Sequence, residues 1–275
     1  MFFNKTIRKT LQNIFSCFLL FCMVAIFSVP VFAATNVKYI AHRGDMNDAP
    51  EESKAAIDKA VENGYKAIEC DVWKTKSGDF LVFHDSNLNR LCGVDKSIWN
   101  VSAKTRRNYP FKNKKYGTQY ILTFSEMLKY AKQKNVDIYF HLKVSTTTFS
   151  NSNITSLLKT ISNNGMKGKA YVFSSNKSVM DHLKHHASFK TGNLCSSSSV
   201  AKLKTVAKRA KKTNKADFVI FKYVPGYTNK KSLINYCHNL GLKVCFYNIN
   251  KQTETTSMKK LGTDWLILNQ PVFAE

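Results

Sequence analysis

The chain has 275 residues and a formal charge of +24 at pH 7, and 44% of its residues are hydrophobic. It contains no internal repeat and no low-complexity linker, which excludes a repeat array and leaves one large α/β domain or two small ones. So large a positive charge draws a protein to anionic surfaces, such as phospholipid head groups, cell-wall polymers or nucleic acid; the plainer alternative is a cationic coat that only keeps it soluble.

The N-terminus carries Lys5, Arg8 and Lys9, and no charge follows from Ile14 to Ala34. Pro30 then precedes the small residues of Val31-Phe32-Ala33-Ala34. Residues 1–34 are therefore expected to be a secretory signal peptide, cut after Ala33 or Ala34. An uncleaved membrane anchor is the alternative, because the apolar run is long enough to span. Cleavage would leave residues 35–275, secreted or held at the cell surface, and would lower the formal charge from +24 to +21. It would also leave Cys70, Cys92, Cys195, Cys237 and Cys245. An odd number cannot all pair, and none has zinc-site spacing.

Beyond the leader, Val37–Ala41 reads as a strand and Glu52–Asn63 as a helix stopped at Asn63-Gly64. Ala67–Thr75 is a strand, Lys76-Ser77-Gly78-Asp79 a turn, and Phe80–His84 a second strand. So short a link forces an antiparallel hairpin. A turn centred on Ser77-Gly78 would set His84 opposite Asp71. Leu88–Leu122 is the longest irregular piece, with Lys104, Arg106, Arg107, Lys112, Lys114 and Lys115 interleaved with Tyr109, Phe111 and Tyr116.

A regular alternation follows. Thr123 opens a helix to about Lys134, with Glu126 completing a capping box. Strands are expected at 137–142, 169–174, 188–193, 217–222, 243–247 and 264–268, and helices near 152–164, 176–186, 199–213, 229–240 and 251–261. Leaving the hairpin arm aside, that makes eight strands with helical crossovers. The expected fold is α/β, a (βα)8 TIM barrel with a short β-hairpin extension after the second strand. An open doubly wound sheet is the alternative, weakened because no glycine-rich phosphate loop follows the first strand.

Side chains at the C-terminal strand ends line the active site of such a barrel. His42, Glu69, Asp71, His141, Lys143 and Tyr247 all lie near such ends. Glu69 and Asp71 share one face of their strand, with Cys70 on the other. Two carboxylates beside an imidazole suit a hard divalent cation and proton transfer.

The ordered set His42-Arg43-Gly44, Pro50-Glu51, Glu69-x-Asp71 and His84-Asp85 resembles the glycerophosphodiester phosphodiesterase family. The likeness continues through Thr123-x-x-Glu126, His141-Leu142-Lys143, Tyr247-x-x-Asn250 and Asn269-x-Pro271. It implies a phospholipase-C-like barrel that hydrolyses a glycerophosphodiester to an alcohol and a glycerol phosphate with a divalent cation, calcium or magnesium. It further implies that His42 and His84 are catalytic, that Glu69 and Asp71 bind the metal, that Arg43 and Lys143 hold the phosphate, and that Tyr247 contacts substrate.

The pattern departs from the family at three places. His141 stands where a third carboxylate ligand is expected, which disfavours calcium and magnesium and favours a metal that accepts nitrogen. Glu52-Ser53 replaces Asn-Thr, making Glu52 a possible substitute ligand. Asn269 replaces an Asp. Two other activities fit the same residues: a catalytically weakened relative that binds anionic polymer or lipid, and a lipid phosphodiesterase that stops at a cyclic phosphate. The helix at 199–213 is lysine-rich but has no aromatic for base stacking, so no nucleic acid is expected. The basic, aromatic stretch at 104–116 is expected to grip a polyanion such as a teichoic-acid-like polymer or an anionic lipid surface.

Overall fold

The computed structural model describes residues 36–144, 149–226 and 229–273. The leader and its cleavage site lie outside the described residues. Strands β1 (Lys38–His42), β2 (Ala67–Lys74), β5 (Asp137–Lys143), β6 (Ala170–Ser174), β7 (Lys190–Cys195), β8 (Phe218–Lys222), β9 (Lys243–Ile249) and β10 (Trp265–Leu268) pair in parallel. The sheet closes because β1 bonds both β10 and β2, with Ile40 opposite Ile267 and His42 opposite Glu69. It is the eight-stranded barrel that the alternation implies.

The crossovers are α1 (Lys54–Glu62), α3 (Phe124–Gln133), α4 (Asn151–Asn163), α5 (Lys177–Leu183), α6 (Val200–Lys212), α7 (Lys230–Asn239) and α8 (Gln252–Lys260). Their ends follow local chemistry. Ser53 caps α1 by accepting from Ala56, and Thr123 with Glu126 forms the expected capping box of α3. Each helix turns an apolar stripe to the sheet; Met127, Leu128 and Ala131 of α3 are fully buried.

The pleat sorts the strand residues into two cores. Ile68, Cys70 and Val72 of β2, and Ile138, Phe140 and Leu142 of β5, face outward under the helices. Ile40, Ala67, Tyr139, Phe173, Phe218, Ile220, Cys245 and Ile267 fill the interior. A Cβ at Gly192 would lie 2.1 Å from the Phe218 ring, so β7 gives up a side chain there to let that ring in. Burying a ring this size is worth about 1.5–3 kcal/mol. The same alternation that puts Tyr139 in the floor carries His141 and Lys143 to the mouth.

Between β2 and α3 the chain makes an excursion of its own. β3 (Phe80–Val82) pairs antiparallel with β2, and β4 (Leu122–Thr123) pairs with β3. The expected register is off by one: Val72 faces Val82 and the Phe83 amide bonds the Asp71 carbonyl, so Phe83, not His84, is opposite Asp71. The cause is a three-residue loop, Lys76-Ser77-Gly78, with Thr75 and Asp79 bonded across it and Gly78 at φ 86°. The stretch expected to be irregular also has more order than its composition suggests. It holds α2 (Asn89–Cys92), two 3-10 turns, and a separate core in which Leu88, Ile98, Val101, Phe111 and Ile121 pack on Trp73, Leu81 and Phe83. Arg106, read as part of a polyanion grip, is instead buried. It donates to the Ile121 carbonyl at 2.9 Å and to Glu126 at 2.6 Å.

Candidate active site

At the C-terminal end of the barrel a cavity of about 270 Å3 is lined by all eight residues singled out from the sequence: His42, Arg43, Glu69, Asp71, His84, His141, Lys143 and Tyr247. Phe173, Leu194, Ile220 and Ile267 form its apolar lining, and Asn248 joins the polar set.

His42 ends β1, and the next two residues turn the chain sharply. Arg43 has φ 58° and Gly44 φ 76°. A Cβ on Gly44 would lie 2.7 Å from that of Ala56, so only glycine lets the turn pack on α1. The turn brings Glu51 under Arg43, whose Nη1 donates to Glu51 Oε1 at 3.1 Å, while Arg43 Nε lies 3.6 Å from Asp71 Oδ2.

His42 Nδ1 lies 2.6 Å from Asn269 Oδ1. The same amide donates through Nδ2 to Asn250 Oδ1 at 2.7 Å, so its oxygen faces the ring. Nδ1 therefore carries the proton and Nε2 presents a lone pair, 3.8 Å from Glu69 Oε2. Burial, reinforced by the Arg43 cation, pushes His42 down to about 4, so the ring is neutral at pH 7.

His84 lies just beyond β3. Its Nδ1 is 2.6 Å from Asp85 Oδ1, and its Nε2 is 3.9 Å from Asp71 Oδ2. Burial lowers its pKa too, aided by Arg43 and opposed by Asp71 and Asp85. Behind it runs a chain of ion pairs. Arg90, in the first turn of α2, bonds Asp85 Oδ2 through Nε at 2.6 Å. It also grips both oxygens of Glu51, at 2.6 and 3.0 Å. His84 and Arg43 are thus tied to one guanidinium. Neither Arg90 nor Asn248 was found from the sequence. Arg90 shows only as a cation five residues after Asp85, and its role depends on where α2 folds. Asn248 takes φ 65°, which asparagine tolerates, beside the irregularity between β9 and β10.

Glu69, Asp71 and His141 each offer a ligand atom within 4.8 Å of the others. Burial and the neighbouring Asp71 charge drive Glu69 well above the ordinary carboxylate range. Asp71 goes the other way. Against its burial, the 2.8 Å contact from His141 Nδ1 and the charges of His141 and Lys143 hold it below that range. Glu69 Oε2 is buried with no hydrogen-bond partner among the described residues, as a ligand oxygen awaiting a cation would be. These residues fit a divalent ion. His141 lies flat on Phe173, with ring centroids 5.0 Å apart and planes at 5°. Glu52, considered as a substitute ligand, does not line the cavity. It is fully buried at φ 59° behind β2, and its Oε1 accepts the Asp71 amide at 2.9 Å.

The fold and the pocket together define a (βα)8 barrel with a polar, partly cationic site at the mouth. The sequence profile described as "Glycerophosphoryl diester phosphodiesterase family" matches residues 42–272. The chain belongs to that family of phosphoric diester hydrolases. It is 23% identical over 235 residues to a glycerophosphodiester phosphodiesterase of Caldanaerobacter subterraneus, covering 84% of this chain and 93% of that one. It is 32% identical over 115 residues to the Bacillus subtilis protein YqiK, but the match spans only 47% of that relative. Among solved structures, an Oleispira antarctica phosphodiesterase in complex with the product sn-glycerol-3-phosphate superposes with TM-score 0.76 at 20% identity, covering 86% of this chain and 94% of that one.

Proposed function

We propose that the protein hydrolyses glycerophosphodiesters to an alcohol and a glycerol phosphate, with His42 and His84 as an acid–base pair and a divalent cation on Glu69, Asp71 and His141. The observation that carries this reading is convergence: three imidazoles, two carboxylates and two fixed cations line one small cavity. When bound, the cation supplies charge neutralisation for the phosphoryl oxygens. Arg43 and Lys143 hold the phosphate and add to that neutralisation. Tyr247 presses on the substrate from the far wall.

The two imidazoles divide the proton work by their surroundings. His42 is buried beside Arg43, and both favour its neutral form. It takes the proton from the attacking oxygen on Nε2 while Asn269 keeps the Nδ1 proton in place. Burial lowers His84 as well, but Asp71 and the Asp85 carboxylate behind Nδ1 work against it, and the ring faces the outer rim. It gives the proton to the leaving alcohol.

The activity is tested by release of glycerol phosphate from glycerophosphocholine and glycerophosphoglycerol with calcium, magnesium, manganese or zinc, for wild type and His42→Ala. Turnover that His42→Ala removes supports the reading. No turnover with any metal overturns it in favour of a binding protein.

The charged leader and apolar run support export, and the basic surface supports work against an anionic envelope polymer or lipid. Exposed Lys112, Lys114 and Lys115 are the groups proposed to meet that polyanion. Export is tested by finding the N-terminus of the protein isolated from culture medium. A chain beginning near Thr35 supports cleavage, and an intact Met1 in the cell fraction refutes it.

A further inference from the structure

A second cavity adjoins the first, and His84 and Lys143 line both. The first is a pocket of about 270 Å3; the second is a wide groove of about 740 Å3 on the face of the insertion. We propose that this groove holds the leaving alcohol and that it selects an uncharged polyol over a cationic head group. The inference rests on the diesterase reading above.

His84 fixes the direction. The proton donor to the leaving oxygen must touch that oxygen, and the group attached to it lies on the donor's outer side. Beyond His84 lies the groove. The enclosed pocket suits the constant part of the substrate, a glycerol phosphate. The open groove suits the part that varies.

Its lining argues for hydroxyls. Ser86 and Asn89 are exposed on its wall. Asn87 is held by a 2.8 Å bond to Asp95 Oδ1 and by accepting the Asn89 amide, also at 2.8 Å. Such short amides, hydroxyls and carboxylates alternate donors with acceptors, which is what a polyol requires.

The same lining argues against a quaternary ammonium. Such a group needs an open aromatic face or an unmatched carboxylate. The aromatic residue here is Trp73; it is 7% exposed, and Lys143 Nζ already lies 5.8 Å over its ring. Its indole N–H is taken by the His84 carbonyl at 3.3 Å. Asp85 is neutralised by Arg90, and Asp95 already accepts the Asn87 amide at 2.8 Å. A fixed cation finds no open aromatic face here, and the carboxylate it could meet, Asp95, is already hydrogen-bonded to Asn87.

The test compares kcat/KM for glycerophosphoinositol, glycerophosphoglycerol and glycerophosphocholine, for wild type and for Asn89→Ala with Ser86→Ala. Two or three hydrogen bonds to hydroxyls predict that the polyol diesters are preferred at least about tenfold. The double variant should lower that ratio about three- to tenfold. Equal or better cleavage of the choline diester overturns the inference while leaving the diesterase reading intact, as does a ratio the double variant does not change. If no diester is cleaved, the diesterase reading falls. The groove is then decided by amide NMR with glycerophosphoinositol: a shift of the Asn89 side-chain resonances, absent with glycerophosphocholine, supports polyol binding, and no shift overturns it.

Discussion

Replacing Arg90 by leucine removes the guanidinium that ties the insertion to both His84 and Arg43. Arg90 donates to Asp85 at 2.6 Å and to Glu51 at 2.6 and 3.0 Å. Bonds to charged groups are worth about 1.5–3 kcal/mol each when shielded. The Arg90 side chain is 48% exposed, so screening reduces the combined loss to about 2 kcal/mol. For a domain of this size that is a fall of about 4–8 °C in Tm. The pH dependence has a definite sign. Against its burial, Arg90 and Arg43 hold Glu51 below its ordinary value of 4.5. A depressed carboxylate contributes stability above its unfolded pKa and loses it as pH falls through the folded one. The cost of Arg90→Leu is therefore full at neutral pH and shrinks below about pH 4.5.

Catalysis suffers separately. Without Arg90, Asp85 no longer fixes the His84 ring, and a proton donor displaced by about 1 Å costs up to about 100-fold in rate. kcat should fall about 10- to 100-fold with a smaller change in KM. His84, relieved of a nearby cation, should titrate higher. The assay is kcat and KM from pH 5 to 9, with thermal melts, for wild type, Arg90→Leu and Arg90→Lys. Lysine keeps the charge without the fork, so it should restore part of the stability and little of kcat. A folded Arg90→Leu protein with unchanged kcat and pH profile would refute the reasoning.

Other perturbations follow from the same geometry. His42, neutral down to about pH 4 in the fold but charged below about 6.5 when unfolded, costs stability as pH falls between those values; the unfolding free energy of His42→Gln from urea titration should gain on wild type by up to about 3 kcal/mol from pH 7 to 4.5, and a constant difference would count against it. His141→Glu restores an oxygen ligand and should lower the calcium or magnesium concentration for half-maximal activity about tenfold or more, with no gain meaning that His141 is not a ligand. Neutralising Lys112, Lys114 and Lys115 together should slow cleavage of an anionic polymer more than of a small diester, and equal losses would remove the polymer from the account.

Much of this was legible in the sequence because barrel strands obey a period of two. Tyr139, His141 and Lys143 alternate with Ile138, Phe140 and Leu142, so one strand declares its floor, its mouth and its outer core together. The same period put Glu69 and Asp71 on the inner face and Cys70 outside. What failed were features set by loops. The hairpin register turned on one residue of loop length. The order in the insertion comes from contacts with Trp73, which local periodicity does not show. Arg90 gained its role from a helix of four residues, too short to leave a pattern. Asn269 was visible as a departure, but that it faces His42 requires β10 beside β1.

The buried acids set one further expectation that needs no substrate. Glu52, Glu69 and Asp71 lie together and nearly dry, and Glu52 Oε2 and Glu69 Oε2 have no hydrogen-bond partner among the described residues. Burial and mutual repulsion push Glu52 and Glu69 well up, so each favours its neutral form. A raised carboxylate pKa means that the folded state binds more protons than the unfolded one, and stability declines as pH rises through that value. A divalent cation on Glu69 and Asp71 reverses the penalty, because it binds the ionised form and displaces a proton. Added cation should therefore raise Tm, by the equivalent of about 2.7 kcal/mol at 100 times Kd, and by more at pH 8 than at pH 6. Glu69→Gln keeps the shape of the site and removes the charge; it should stabilise the metal-free protein and abolish the response to cation. A Tm that ignores every cation, or a Glu69→Gln protein that still responds, would mean that the unpaired oxygen serves no metal.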